Sequence, residues 1–205
     1  MKLLEQLLSL ISEAVLLPTL AAIVILVAWS AMLLGGLLRE WLGRRTVQAT
    51  LTALRRAHVE GADPVRMLHI LGTATTGLPA RMNQLLSQWG GAADLPHCLV
   101  ELEIETATTL SRLTWMTRIA PMLGLMGTLI PLGPALTGLA SGDLATLSSN
   151  LVVAFTATVV GVLLGCTSYT MNLVRKNWYQ RDLSTLEHLF VSAQSPAVIP
   201  SASAA

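Results

Sequence analysis

Three charge-free stretches set the organisation of the chain. From Ala14 to Leu38 (AVLLPTLAAIVILVAWSAMLLGGLL) 25 residues pass without Asp, Glu, Lys, Arg or His. At about 1.5 Å per helical residue this is enough to cross a hydrocarbon core of about 30 Å with some tilt. The second stretch runs from Ile119 to Ser141 and the third from Leu144 to Val174, with little but Ser141-Gly142-Asp143 between them. The pair reads as a helical hairpin. A cleaved signal peptide is the rival reading of the first stretch. It is disfavoured because the apolar region starts late, after Glu5 and Glu13, is too long for an h-region and lacks a clean small-x-small exit.

Between and around these stretches the pattern stays helical. Met1 to Ser12 (MKLLEQLLSLIS) is short and amphipathic, and predicts an interfacial helix over residues 1–13. Trp41, Val47, Leu51 and Leu54 prolong the first span, with Arg44, Arg45, Arg55 and Arg56 on the wet side. Asp63-Pro64 is a cap and first-turn pair for a helix through Leu71; Gly72, Gly77-Leu78-Pro79 and Gly90-Gly91 mark breaks. From about Leu95 one long helix is expected to enter the second span directly. The tail, AQSPAVIPSASAA, is of low complexity and is expected to be disordered over 194–205.

Composition agrees with lipid as the solvent: 53% of the 205 residues are hydrophobic and 12% charged, where about 25% charged is usual. Thirteen basic and twelve acidic residues leave +1, with no net field to hold nucleic acid. The distribution of the basic residues says more than their sum. Lys2 precedes the first span, nine arginines from Arg39 to Arg118 lie between the first and second, and Arg175, Lys176 and Arg181 follow the third. The hairpin turn has none and carries Asp143. By the positive-inside rule the N-terminus and the turn at 142–149 are outside, and 39–118 and 175–193 are cytoplasmic. The expected fold is therefore an all-α membrane protein with spans at 14–38, 119–141 and 150–174 and long cytoplasmic helical extensions.

Within the second span, Gly124, Gly127, Thr128, Pro131, Ala135 and Gly138 recur at helical spacing and make one side small. Within the third, Asn150, Ala154, Thr158, Gly161, Gly165 and, half a turn on, Ser168 do the same. Such faces let helix backbones approach, and a Thr hydroxyl can bond to a carbonyl one turn earlier, so packing alone accounts for them. The sharper reading is that Thr128 and Thr158 line a narrow polar path, with hydroxyls that donate and accept.

The run Ala120-Pro121-Met122-Leu123-Gly124-Leu125-Met126-Gly127-Thr128, followed by Ala154-Phe155-Thr156-Ala157-Thr158-Val159-Val160-Gly161-Val162, resembles the paired-helix signature of the MotA/TolQ/ExbB proton-channel proteins. Asn172, Arg175 and Lys176 stand where that signature closes. The resemblance implies an ion-conducting stator subunit in the inner (cytoplasmic) membrane. It would form a pentamer around a dimer of a single-span, ExbD/TolR/MotB-like partner, with ion-motive force driving one assembly relative to the other. It assigns the polar positions to Thr128 and Thr158, with Thr156 beside them, and the proline that opens the second helix to Pro121. The ExbB and TolQ branch has a Glu five residues before the second Thr, where this chain has Val153. Pro131 and Pro134 interrupt a stretch usually rich in Gly and Ile, and are expected to kink the second helix and free carbonyls near Gly127 and Ile130.

A proton relay needs a group that titrates near neutral pH, and the second and third spans contain none; Thr128, Thr156 and Thr158 do not titrate, and the reference pKa of Tyr169 is about 10. The carboxylate must then come from another polypeptide, as an Asp on the single-span partner would supply. Sodium is also compatible with such a path, because hard cations accept oxygen ligands. Glu101 and Glu105 share a helix face, with Arg112 beyond them, and read as a solvated salt-bridge face or a partner surface. Trp29, Trp41, Trp115 and Trp178 read as interface anchors. Cys98, Cys166 and the four histidines show no metal or redox spacing, and no nucleotide or nucleophile motif occurs, so neither a cofactor nor an enzymatic activity is expected. A non-conducting membrane scaffold is the alternative; a membrane enzyme or permease is a weaker one.

Overall fold

In the computed structural model, residues 2–61, 63–89 and 95–194 are described, and they are helices joined by short links. In chain order these are α1 (Lys2–Val59), α2 (Pro64–Gly72), α3 (Gly77–Trp89), α4 (Leu95–Ala140) and α5 (Leu144–Gln194). No strand occurs among the described residues. α1, α4 and α5 each contain a stretch long and apolar enough to cross a membrane. The segment read as a separate interfacial helix over 1–13 departs from expectation: from Lys2 it is continuous with the first span, with Pro18 inside the same helix. α4 likewise runs unbroken through Pro121, Pro131 and Pro134. The tail read as disordered lies, from residue 195 on, outside the described residues.

The chain forms two compact units, each containing part of all three long helices. One joins α1 up to Leu37 with Leu110–Val174, and the other joins Leu38–Thr109 with the chain from Arg175. In the first unit α4 and α5 pack antiparallel. The turn that reverses them is built by Gly142, at φ +75°, a left-handed conformation that glycine adopts without strain. The Gly142 amide donates to Leu139 O (3.1 Å) and the Asp143 amide to Gly138 O (2.8 Å), which closes α4 with a Schellman pair. Asp143 then caps α5, its Oδ1 accepting from the Thr146 amide at 3.1 Å.

From that turn the two helices zip together on their small faces. A Cβ placed on Gly138 would meet Thr146, and one on Gly127 would meet the Ala157 methyl at 2.6 Å. One on Gly124 would meet Ala157 O at 3.1 Å, and one on Gly161 would meet Ala120 O and Gly124 Cα at 2.8 Å. Asn172 Nδ2 donates to Thr114 Oγ1 across the far end of the pair, at 3.1 Å. The sequence numbers of facing residues thus sum to about 285 throughout, the signature of an antiparallel pair with constant register. Leu26, Met116, Ala120 and Leu164 form an apolar cluster in this unit.

The second unit has a conventional core. Val47, Leu51 and Leu54 of α1 recur at helical spacing and meet Met67 and Leu71 of α2, Met82 of α3, Leu102 of α4 and Leu186 of α5. α2 starts at Pro64 as its sequence predicts, but the Asp63 side chain makes no capping bond; its backbone carbonyl accepts from Arg66 and Met67 instead. Arg45, Arg55 and Arg56 are exposed as expected. Arg44 is not, because it lies three residues before Val47 on the same face, and its charge is matched there by Asp182.

Candidate functional site

Thr128 and Thr158 stand at one level of the antiparallel α4–α5 pair, since their numbers sum to 286 and their neighbours Gly127 and Ala157 touch. Both are partly exposed. The Thr128 hydroxyl donates to Leu125 O at 2.7 Å, which leaves its lone pairs free to accept. Thr156 does not join them. Two residues from Thr158, it points about 200° round the helix, donates to Val152 O, and sits among the outward-facing Val152, Phe155 and Val159.

The small residues flanking these threonines are occupied within the chain. Gly124, Gly127 and Gly161 form the close α4–α5 contact, Gly165 lies against the Pro121 ring, and Ala154 and Pro131 are buried. They are packing residues that hold Thr128 and Thr158 side by side at the edge of the contact. Both threonines therefore lie on the outside of the single chain, along the edge of the α4–α5 contact.

At the opposite level, Pro121 has no N–H for the carbonyl of Thr117, its helical partner four residues earlier. That carbonyl faces α5 where Gly165 has no side chain; a Cβ there would stand 3.5 Å from Thr117 O. Ser168 is fully buried and its hydroxyl finds no partner, and neither does Asn172 Oδ1.

In the second unit the salt-bridge face is partly as read. Glu105 Oε2 accepts from Arg81 Nε of α3 at 2.9 Å rather than from its own helix, and this bond raises the Arg81 guanidinium further above its usual range. Glu101 is exposed, and so is Arg112, which belongs to the first unit. A buried charge network was not foreseen from the sequence. Arg175 Nε (3.2 Å) and Tyr179 OH (3.3 Å) both donate to Glu40 Oε2. Arg44 donates to both oxygens of Asp182, through Nη2 at 2.8 Å and through Nη1, and its guanidinium lies 5.1 Å from the Trp178 ring centroid. Trp178 is thus the floor of an ion pair and not a free interface anchor. The signal was present: Glu40 and Arg44 are one turn apart on α1, and Arg175, Tyr179 and Asp182 recur at helical spacing on α5.

The paired small-faced helices with Thr128 and Thr158 at one level are the feature that comparison with known proteins bears on. The model of the MotA/TolQ/ExbB proton channel family matches residues 41–188. The chain belongs to this family. The matched span takes in both threonines, all of α4, α5 as far as residue 188 and most of the second unit. No curated protein and no solved structure matches the chain. Membership in the MotA/TolQ/ExbB family, with three helices able to span a bilayer, makes this a membrane protein of the proton-channel type.

Proposed function

We propose that this MotA/TolQ/ExbB family member is the ion-conducting stator subunit of an energy-transducing complex. It would sit in the inner membrane with its N-terminus and the Asp143 turn outside and the second unit in the cytoplasm. Several copies, five by analogy, surround two copies of a single-span partner, each carrying an Asp at membrane depth. The observation that carries this reading is the placement of Thr128 and Thr158 at one level of the charge-free stretches of α4 and α5, both partly exposed. Hydroxyls so placed can solvate a carboxylate and its proton or a sodium ion, but they do not themselves titrate. The relay group has to come from outside the chain, which is not an enzyme in this reading.

The second reading is a non-conducting scaffold, and it is favoured by the use of Gly124, Gly127, Gly161 and Gly165 in intrachain packing. The two readings separate on Thr158→Val in the complex reconstituted with its partner. The stator reading expects ion flux to fall at least tenfold while the complex assembles and elutes as the wild type does. Unchanged activity favours the scaffold. Vesicles holding this chain alone should be tight to protons and sodium; strong leakage would sink the claim that a partner supplies the relay.

A further inference from the structure

Two outward faces of the second unit are complementary to each other. α1 and α2 bound an open groove of about 660 Å³. Its floor is Ala49 and Ala53, one turn apart on α1, with Arg45 a turn before them, Arg56 a turn after and Arg66 of α2 at the side. Arg45 and Arg56 are exposed and form no ion pair among the described residues, and Arg66 has a loose one, 3.8 Å from Glu60. α4 has the opposite character. Val100 and Ile104, also one turn apart, are 54% and 55% exposed, while Leu102 on the far side of the helix is fully buried in the core. At about 100° per residue, Glu101 and Glu103 stand about 80° to either side of that apolar pair. Both are exposed and form no ion pair among the described residues.

The faces match in spacing, charge and level. Two branched side chains one turn apart fit over two alanines one turn apart, as ridges fit grooves in packed helices. The arginines at the ends of the groove carry the charge that the flanking glutamates lack. As to level, a Cβ on Gly77, the first residue of α3, would meet Val47 of α1 at 2.6 Å, and Arg81, one turn on, bonds Glu105 beside Ile104. The acidic face of α4 thus lies level with the groove. Each face points away from the core that α1 and α4 share, so the two do not meet within one chain. Copies related by rotation about the membrane normal keep every residue at its level, and a contact between two different faces can then close into a ring. An unrelated acidic protein could fill the groove, but it would leave Val100 and Ile104 uncovered; a second copy covers both. We propose that the α1–α2 groove of one copy receives the Val100–Ile104 face of α4 from the next, with Arg45 and Arg56 paired to Glu101 and Glu103. This rests on the reading that several copies assemble, and it names the surfaces that join them.

Photo-crosslinking in the membranes of cells producing the full-length chain tests this, with Ile104→p-benzoylphenylalanine as the probe. The expected product is a covalent dimer on a denaturing gel, in which the probe is joined to residues 45–56 or 64–70 of a second copy. Arg45→Glu with Arg56→Glu should lower the dimer yield at least fivefold. Adding Glu101→Arg and Glu103→Arg should restore it to within twofold, which a chain that had merely misfolded would not show. Native mass measurement of the purified protein accompanies the gel. If the protein is oligomeric by mass but the probe joins residues 181–185, a lipid, another protein or nothing, the proposal is overturned and the several-copy reading stands. A dimer yield that charge reversal leaves unchanged, or that the full exchange does not restore, overturns the pairing in the same way. A monomer by mass, with no adduct, overturns both.

Discussion

Gly161→Ala is the substitution for which the α4–α5 contact makes the sharpest demand. The added Cβ would lie 2.8 Å from both Ala120 O and Gly124 Cα, where ordinary contact begins near 3.4 Å. Both obstacles are backbone, so no side chain can swing away, and the helices must separate by at least the missing 0.6 Å. Overpacking of this size costs about 1–3 kcal/mol. Alanine also gains about 0.8–1 kcal/mol over glycine as a helix former. Gly133→Ala is the matched control, because Gly133 lies in the same helix pair, in α4, with nothing within 4 Å of its Cβ position. The propensity gain is shared, so the difference between the two variants isolates the packing cost. Unfolding by SDS in mixed micelles, followed by circular dichroism, should place Gly161→Ala about 1–3 kcal/mol below Gly133→Ala. If the two agree within about 0.5 kcal/mol, the helices are not packed at this distance and the packing role assigned to the glycines is wrong.

Arg44→Ala leaves Asp182 buried without its cation and should destabilise the protein by about 3 kcal/mol or more; the double variant with Asp182→Ala should recover part of that loss, and a strictly additive pair would argue against the contact. Asp143 is held below the usual carboxylate value, chiefly by the Thr146 hydroxyl and then by the Thr146 amide. Its depressed folded pKa means that the cap is intact above the unfolded value of 3.8 and is lost as pH falls through the lower folded one. A carboxyl ¹³C titration should show a midpoint below 3.8, and a midpoint at or above that value would remove the cap from the argument. Thr156→Val should leave ion flux near the wild-type level in the reconstituted complex, because Thr156 faces away from the Thr128–Thr158 edge; a loss matching that of Thr158→Val would show that the path runs on the other side of α5.

The amino-acid sequence by itself determined the three apolar helices, the Ser141-Gly142-Asp143 reversal, the paired threonines and the lack of a titrating group in the last two spans. These follow from short-range properties: apolar length, glycine at a left-handed turn, and the identity of side chains. Tertiary structure alone decided what each face meets. Periodicity shows that Gly124 and Gly161 share small faces, but only the register of α4 against α5 shows that they touch each other, leaving Thr128 and Thr158 at the edge. The same holds for Arg44, which by charge belongs in water and by position lies beside Val47; it is half-buried because α5 brings Asp182 to it.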